Sequence, residues 1–261
     1  MSIFNPFSGR GGRSASLYSL RSSIDAGLLS LAKQPRDNSV DLSDRRIRRL
    51  FVFLIDHDYP GGSAAMHNAV FRKYHLPYRS CFMVGDPANV REIFAALKAC
   101  PVYAGGGAGS GFKDKIGGAL DCLSPLAEKI GSVNVIARVN GRFEGHNTDG
   151  RGFVAGLLAE YPKSVEGQKI VVLGAGGTAS PITYELAQKR PREIVVINRT
   201  VSKAQAIVDL VSDTVRARAA GEDVIGDELA SADLVVNTSN KGAQPNEKFS
   251  AFAPMTGDVD G

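Results

Sequence analysis

With 261 residues, 43% hydrophobic and 22% charged, the chain is long enough for two cored domains and ordinary for a globular protein. No apolar run approaches membrane-spanning length. The three scattered cysteines, Cys81, Cys100 and Cys122, read as free thiols of a reducing, cytoplasmic compartment rather than a disulfide frame or zinc site. The net charge of +4 belongs to the first 49 residues, where nine Lys and Arg face four Asp, so nothing in the remainder argues for nucleic acid.

Residues 1–49 are expected to form a flexible basic extension; their Ser- and Arg-rich opening, SGRGGRSAS, also suits an organelle-targeting segment. Leu28 to Leu31 suggests a short helix on the body. Leu50 to Ile55 is a continuous apolar run and predicts a buried strand. A helix begins near Ser63, with Met66, Val70 and Phe71 on one side, and PYRSCFMV reads as the next strand. Pro87 opens a helix striped by Val90, Ile93, Phe94 and Leu97. Five glycines between Gly105 and Gly111 predict a mobile loop. Asn140-Gly141 between alternating segments signals a hairpin. These elements form an α/β domain over 50–150, followed by a linking helix over 151–162. No His or Cys spacing suggests a metal site, His57, His67, His75 and His146 included.

From 163 to 261 the pattern changes. KIVVLGAGGTAS, Lys169 to Ser180, runs from an apolar strand through a glycine turn into a helix, and EIVVINRTVSK adds a second strand. This is the order of a dinucleotide-binding βαβ unit. Gly174 permits the tight turn, and Gly176 lets the backbone approach a pyrophosphate. Ala179 is small enough for the helix to pack on the strand. Ala175, Gly177 and Thr178 complete the turn. Asn198, Arg199, Thr200 and Lys203 follow the second strand with no acid among them, which favours the 2′-phosphate of NADP over the bare ribose of NAD. A later strand, DLVVNTS, ends on Thr238 and Ser239.

The segment from Lys113 to Phe153 resembles the shikimate dehydrogenase family, which includes quinate dehydrogenases. Lys113, Asp121, Gly131-Ser132-Val133-Asn134 and Gly145-His146-Asn147-Thr148-Asp149-Gly150 keep the order of that family's motifs. GAGGTA, NRTVSK and NTSNKG match its nucleotide-binding motifs, and the resemblance runs from about residue 50 to about 242. It implies an α/β substrate domain joined to a Rossmann-type NADP domain with a parallel sheet. It also implies hydride transfer between 3-dehydroshikimate and shikimate, or a related cyclic polyol acid, in aromatic amino acid biosynthesis by way of chorismate. Lys113 and Asp149 inherit the catalytic roles, and Ser63 and Asn134 inherit substrate contacts. Read alone, Lys113 could be a surface lysine and Asp149 a helix cap.

Some family positions are altered. S-x-S-P becomes Gly61-Gly62-Ser63-Ala64, and N-V-T-x-P-x-K becomes Gly107-Ala108-Gly109-Ser110-Gly111-Phe112-Lys113. The family's closing C-terminal segment, with a tyrosine and a glutamine for the substrate, is expected to be missing. An alternative is therefore an NADP-binding relative that no longer turns over shikimate. A third possibility is an unrelated Rossmann reductase, opposed by the ordered match from Lys113 to Asp149.

Overall fold

The computed structural model describes residues 18–33, 37–41, 43–161, 163–239 and 241. The expectations of a targeting segment at the extreme N-terminus and of an incomplete C-terminus lie outside the described residues. The chain forms two compact units that divide between Phe112 and Lys113, ahead of the boundary expected near residue 150.

In the first unit, α1 (Tyr18–Asp25) and β1 (Ser30–Leu31) precede β2 (Arg49–Ile55), α2 (Ser63–Lys73), β3 (Tyr78–Val84), α3 (Val90–Ala99) and β4 (Tyr103–Ala108). The strands lie in the order β1-β3-β2-β4; β2 is parallel to β3 and β4, and β1 runs antiparallel to β3. The described part of the N-terminal stretch is thus built into this unit, which corrects the expectation of a flexible extension. Leu20 and Leu29 are almost wholly buried and α1 packs on α3. Ser30 and Leu31 form a strand, not a helix, because they complete the edge of β3.

Two further expectations are corrected here. Met66 and Val70 are 60% and 46% exposed, so α2 turns a different face inward. Its anchor is Asn68, fully buried, whose Nδ2 donates to the Ser80 carbonyl at 2.8 Å and whose Oδ1 accepts from Ser80 N at 2.8 Å. An apolar count misses a buried amide whose hydrogen bonds are all met. Second, the predicted mobile loop is largely strand β4. Gly106, at φ +145°, brings its Cα against the Val52 backbone, where no Cβ would fit. Strand pairing uses backbone groups only, so glycines can supply it despite their low propensity.

The second unit continues with β5 (Cys122–Leu123), α4 (Pro125–Ile130), the hairpin β6 (Val135–Val139) and β7 (Arg142–His146), and α5 (Asp149–Glu160). The hairpin turn is Asn140-Gly141, both with positive φ, as the dipeptide predicts. Then come β8 (Lys169–Leu173), α6 (Ala179–Ala187), β9 (Glu193–Ile197), α7 (Val201–Val211), β10 (Ala217–Ala220), α8 (Ile225–Ala230) and β11 (Leu234–Asn237).

These last four strands are all parallel, in the order β10-β9-β8-β11. Alternate residues of β8 and β9 feed opposite cores. Ile170, Val172, Ile194 and Val196 pack with Ile182, Leu186 and Val208, while Val171, Leu173, Val195 and Ile197 meet Ile225 and Leu229. Burial on both faces explains why these strands read as unbroken apolar runs. The order places a topological switch between β8 and β11, and ligands bind at the carboxyl ends of strands at such points.

Candidate active site

Lys113 opens the second unit, and its carbonyl accepts from Val133 N at 2.8 Å. Asp149 is the first residue of α5. Lys113 Nζ donates to Asp149 Oδ2 at 2.6 Å and to Thr178 Oγ1 at 3.2 Å. The Lys113 and Asp149 side chains are 21% and 22% exposed, so the pair is shielded yet reachable.

Asn134, just ahead of β6, holds the other side of the carboxylate. Its Nδ2 donates to Asp149 Oδ1 at 2.5 Å and to Thr148 Oγ1 at 3.0 Å, while its Oδ1 accepts from Thr148 N at 2.9 Å. Both carboxylate oxygens therefore face donors.

Two buried residues that sequence reasoning did not single out support this arrangement. Asn147 Oδ1 accepts from Asp149 N at 3.0 Å, and its Nδ2 donates to the Ser132 carbonyl and to Ser132 Oγ, each at 3.2 Å. Ser132 Oγ in turn donates to the Gly177 carbonyl at 2.9 Å. Their only sequence signal was membership of the Gly131–Asn134 and Gly145–Gly150 motifs.

The glycine turn follows β8 directly. Gly174, at φ +99°, sits where a Cβ would come within 2.9 Å of Ser239 N and 3.0 Å of Thr238 Oγ1. Thr238 Oγ1 donates to the Leu173 carbonyl at 2.8 Å, tying the end of β11 to the turn. Gly176 has open space where a side chain would be, a surface that a pyrophosphate can approach. Ala175 lies half-buried in the turn and Ala179, fully buried, begins α6 against the sheet. The residues present fit a dinucleotide.

Asn198 Nδ2 donates to the Thr200 carbonyl at 2.9 Å, shaping the loop before α7. Arg199 on this loop and Lys203 in the first turn of α7 are exposed, and among the described residues neither makes an ion pair, so both cations remain available to an anion. A pocket at this end of the sheet is lined by Gly174, Ile197, Asn198, Glu222, Ser239 and Lys241. Ser63 starts α2 in the first unit, half-buried. Among the described residues no group of His, Cys, Asp or Glu could hold a metal, and no helix is long and apolar enough to cross a membrane.

The family model described as shikimate/quinate 5-dehydrogenase matches residues 157–245. The NADP(+) shikimate dehydrogenase of Alkaliphilus metalliredigens is 36% identical over 196 residues, covering 73% of this chain and 68% of that protein. This chain belongs to the shikimate/quinate dehydrogenase family. A shikimate dehydrogenase solved in complex with NADP+ is 30% identical with a TM-score of 0.65, covering 76% of this chain and 69% of its own. The Listeria monocytogenes shikimate 5-dehydrogenase, solved with shikimate and NAD, is 26% identical with a TM-score of 0.66, covering 76% and 71% respectively. The chain spans about two thirds of the length of the curated relatives it matches.

Proposed function

We propose that this family member interconverts a cyclic hydroxy acid of the shikimate type and its ketone, using NADP. The observation that carries the proposal is the Lys113–Asp149 pair, 2.6 Å apart and linked through Thr178 to the nucleotide turn. The curated relatives named as NADP(+) shikimate dehydrogenases support the same assignment. When bound, the nicotinamide cofactor would supply the hydride acceptor or donor.

The chain's own residues handle the proton. In the oxidative direction Lys113 Nζ, as the neutral amine, takes the hydroxyl proton while the adjacent carbon gives up hydride and becomes a carbonyl. In the reductive direction the ammonium donates to the carbonyl oxygen as negative charge develops there. Asp149 holds Nζ in place and can accept from a neighbouring substrate hydroxyl. Asn134 orients Asp149.

The turn from Gly174 to Ala179 would hold the pyrophosphate against the start of α6, and Arg199 and Lys203 would pair with the 2′-phosphate. Thr238 and Ser239 support the turn from β11. The free cysteines support a cytoplasmic setting, and the intact Lys113–Asp149 pair speaks against a nucleotide-binding relic. NADPH formation from NADP with shikimate or quinate, abolished by Lys113→Ala, is the expected result. Nucleotide binding with no turnover of either acid would defeat the proposal.

A further inference from the structure

Within the second unit the nucleotide turn and the lysine segment meet at three points. Ser132 Oγ reaches the Gly177 carbonyl at 2.9 Å, and a Cβ at Gly177 would stand 3.3 Å from Lys113 Cβ. The third point is Lys113 Nζ against Thr178 Oγ1 at 3.2 Å. An ammonium carries three N–H donors. Asp149 takes one and Thr178 another, so a single N–H remains for a substrate oxygen. With the carboxylate alone, the flexible lysine stem could swing about one partner. Two acceptors on different elements, the first turn of α5 and the N-cap of α6, confine Nζ to the intersection of two short distances.

We propose that Thr178 is a positioning residue for Lys113, and that its hydroxyl sets the direction of the N–H left for substrate. The turn that receives the dinucleotide and the group that moves the proton are then one constructed unit. This inference rests on the dehydrogenase activity proposed above. It predicts a kinetic role for a hydroxyl at a position where the glycine-turn pattern itself demands none.

Thr178→Val keeps the shape and removes the acceptor, and Thr178→Ser restores it. The expected result for Thr178→Val is a kcat for polyol oxidation about ten-fold lower, with KM for NADP within about two-fold of wild type. A second readout needs no turnover. Acetylation of Lys113 by an amine-reactive reagent, followed by peptide mass spectrometry, should be several-fold faster in Thr178→Val because Nζ has lost an acceptor. Thr178→Ser should return both quantities to near wild type.

Wild-type kcat and wild-type acetylation in Thr178→Val would overturn the inference. So would a change confined to KM for NADP, which would mean that the hydroxyl serves the nucleotide alone, or failure of Thr178→Ser to rescue. If the wild-type protein oxidises no polyol, the functional proposal fails on its own. The acetylation rates then still decide whether Thr178 restrains Lys113.

Discussion

Replacing Asp149 by asparagine tests the site at its centre. Asp149 Oδ1 accepts from Asn134 Nδ2 and Oδ2 from Lys113 Nζ, so both oxygens face donors. An asparagine must turn its NH2 toward one of them. Flipping Asn134 to compensate would put its own NH2 against Thr148 N, which now donates to Asn134 Oδ1 at 2.9 Å. No amide orientation satisfies all three neighbours. Each hydrogen bond involving a charged group contributes roughly 1.5–3 kcal/mol. One such bond is lost outright and another weakened, discounted because the pair is about one fifth exposed. A loss near 3 kcal/mol corresponds to a fall in kcat/KM of roughly a hundred-fold.

The double variant Asn134→Asp with Asp149→Asn restores the donor–acceptor directions while moving the negative charge one residue away from the lysine. It should therefore recover the melting temperature lost in Asp149→Asn but not the turnover. Steady-state kinetics and thermal melting of the two variants beside wild type separate geometry from charge. Full activity in the double variant would show that a carboxylate at position 149 is unnecessary and would refute the reasoning.

Two further outcomes follow from other parts of the structure. Arg199→Asp places a carboxylate where a guanidinium without an ion pair among the described residues stands, and KM for NADP should rise at least about ten-fold while KM for NAD changes little. An unchanged ratio between the two cofactors would remove Arg199 from the phosphate site. At the opposite end of the parallel sheet, Glu228 is 12% exposed and pairs with Arg218 at 2.6 Å and Lys169 at 2.9 Å. Burial pushes its carboxyl upward, but the hydrogen bonds and charges of Arg218 and Lys169 together outweigh that and leave it below the usual value. A depressed carboxyl contributes stability above its unfolded pKa and loses it as pH falls through the folded value. Glu228→Gln should destabilise the protein at pH 7 by about 2 kcal/mol, and the gap to wild type should close as pH drops below about 4.5. A gap that persists in acid would mean that the lost interaction was not ionic.

What could be read from the sequence divides by the range of the forces involved. The βαβ unit was legible because its signals are local: an apolar run buried on both faces, a glycine at φ +99°, and cations after the next strand. The hairpin at Asn140-Gly141 was legible for the same reason. The inward face of α2 was not, because Asn68 is buried through hydrogen bonds to β3, and periodicity does not register an amide as core. Strand β4 was hidden by its glycines, whose composition suggests a loop until pairing with β2 is known. In the site, Lys113 and Asp149 took their roles from family motifs, while Ser132 and Asn147 stand in the same motifs without a role being legible for them. Their work is to hold backbone groups and each other, and a lone serine or asparagine carries no spacing signature for that.

The glycines bear on substrate choice as well as on fold. Where relatives resembling this chain carry Asn and Thr, it has Gly107 and Gly109. A Cβ at Gly109 would fall 2.8 Å from Ile55 Cγ2 and 3.1 Å from the Leu54 carbonyl, so the backbone here has settled against β2 in a way that excludes a threonine. Gly106 is fixed in the same manner by Val52. Gly109 is therefore packed against β2 within the first unit. In the second unit the cluster proposed to move the proton is intact, since Lys113, Asp149, Asn134, Asn147 and Ser132 satisfy one another.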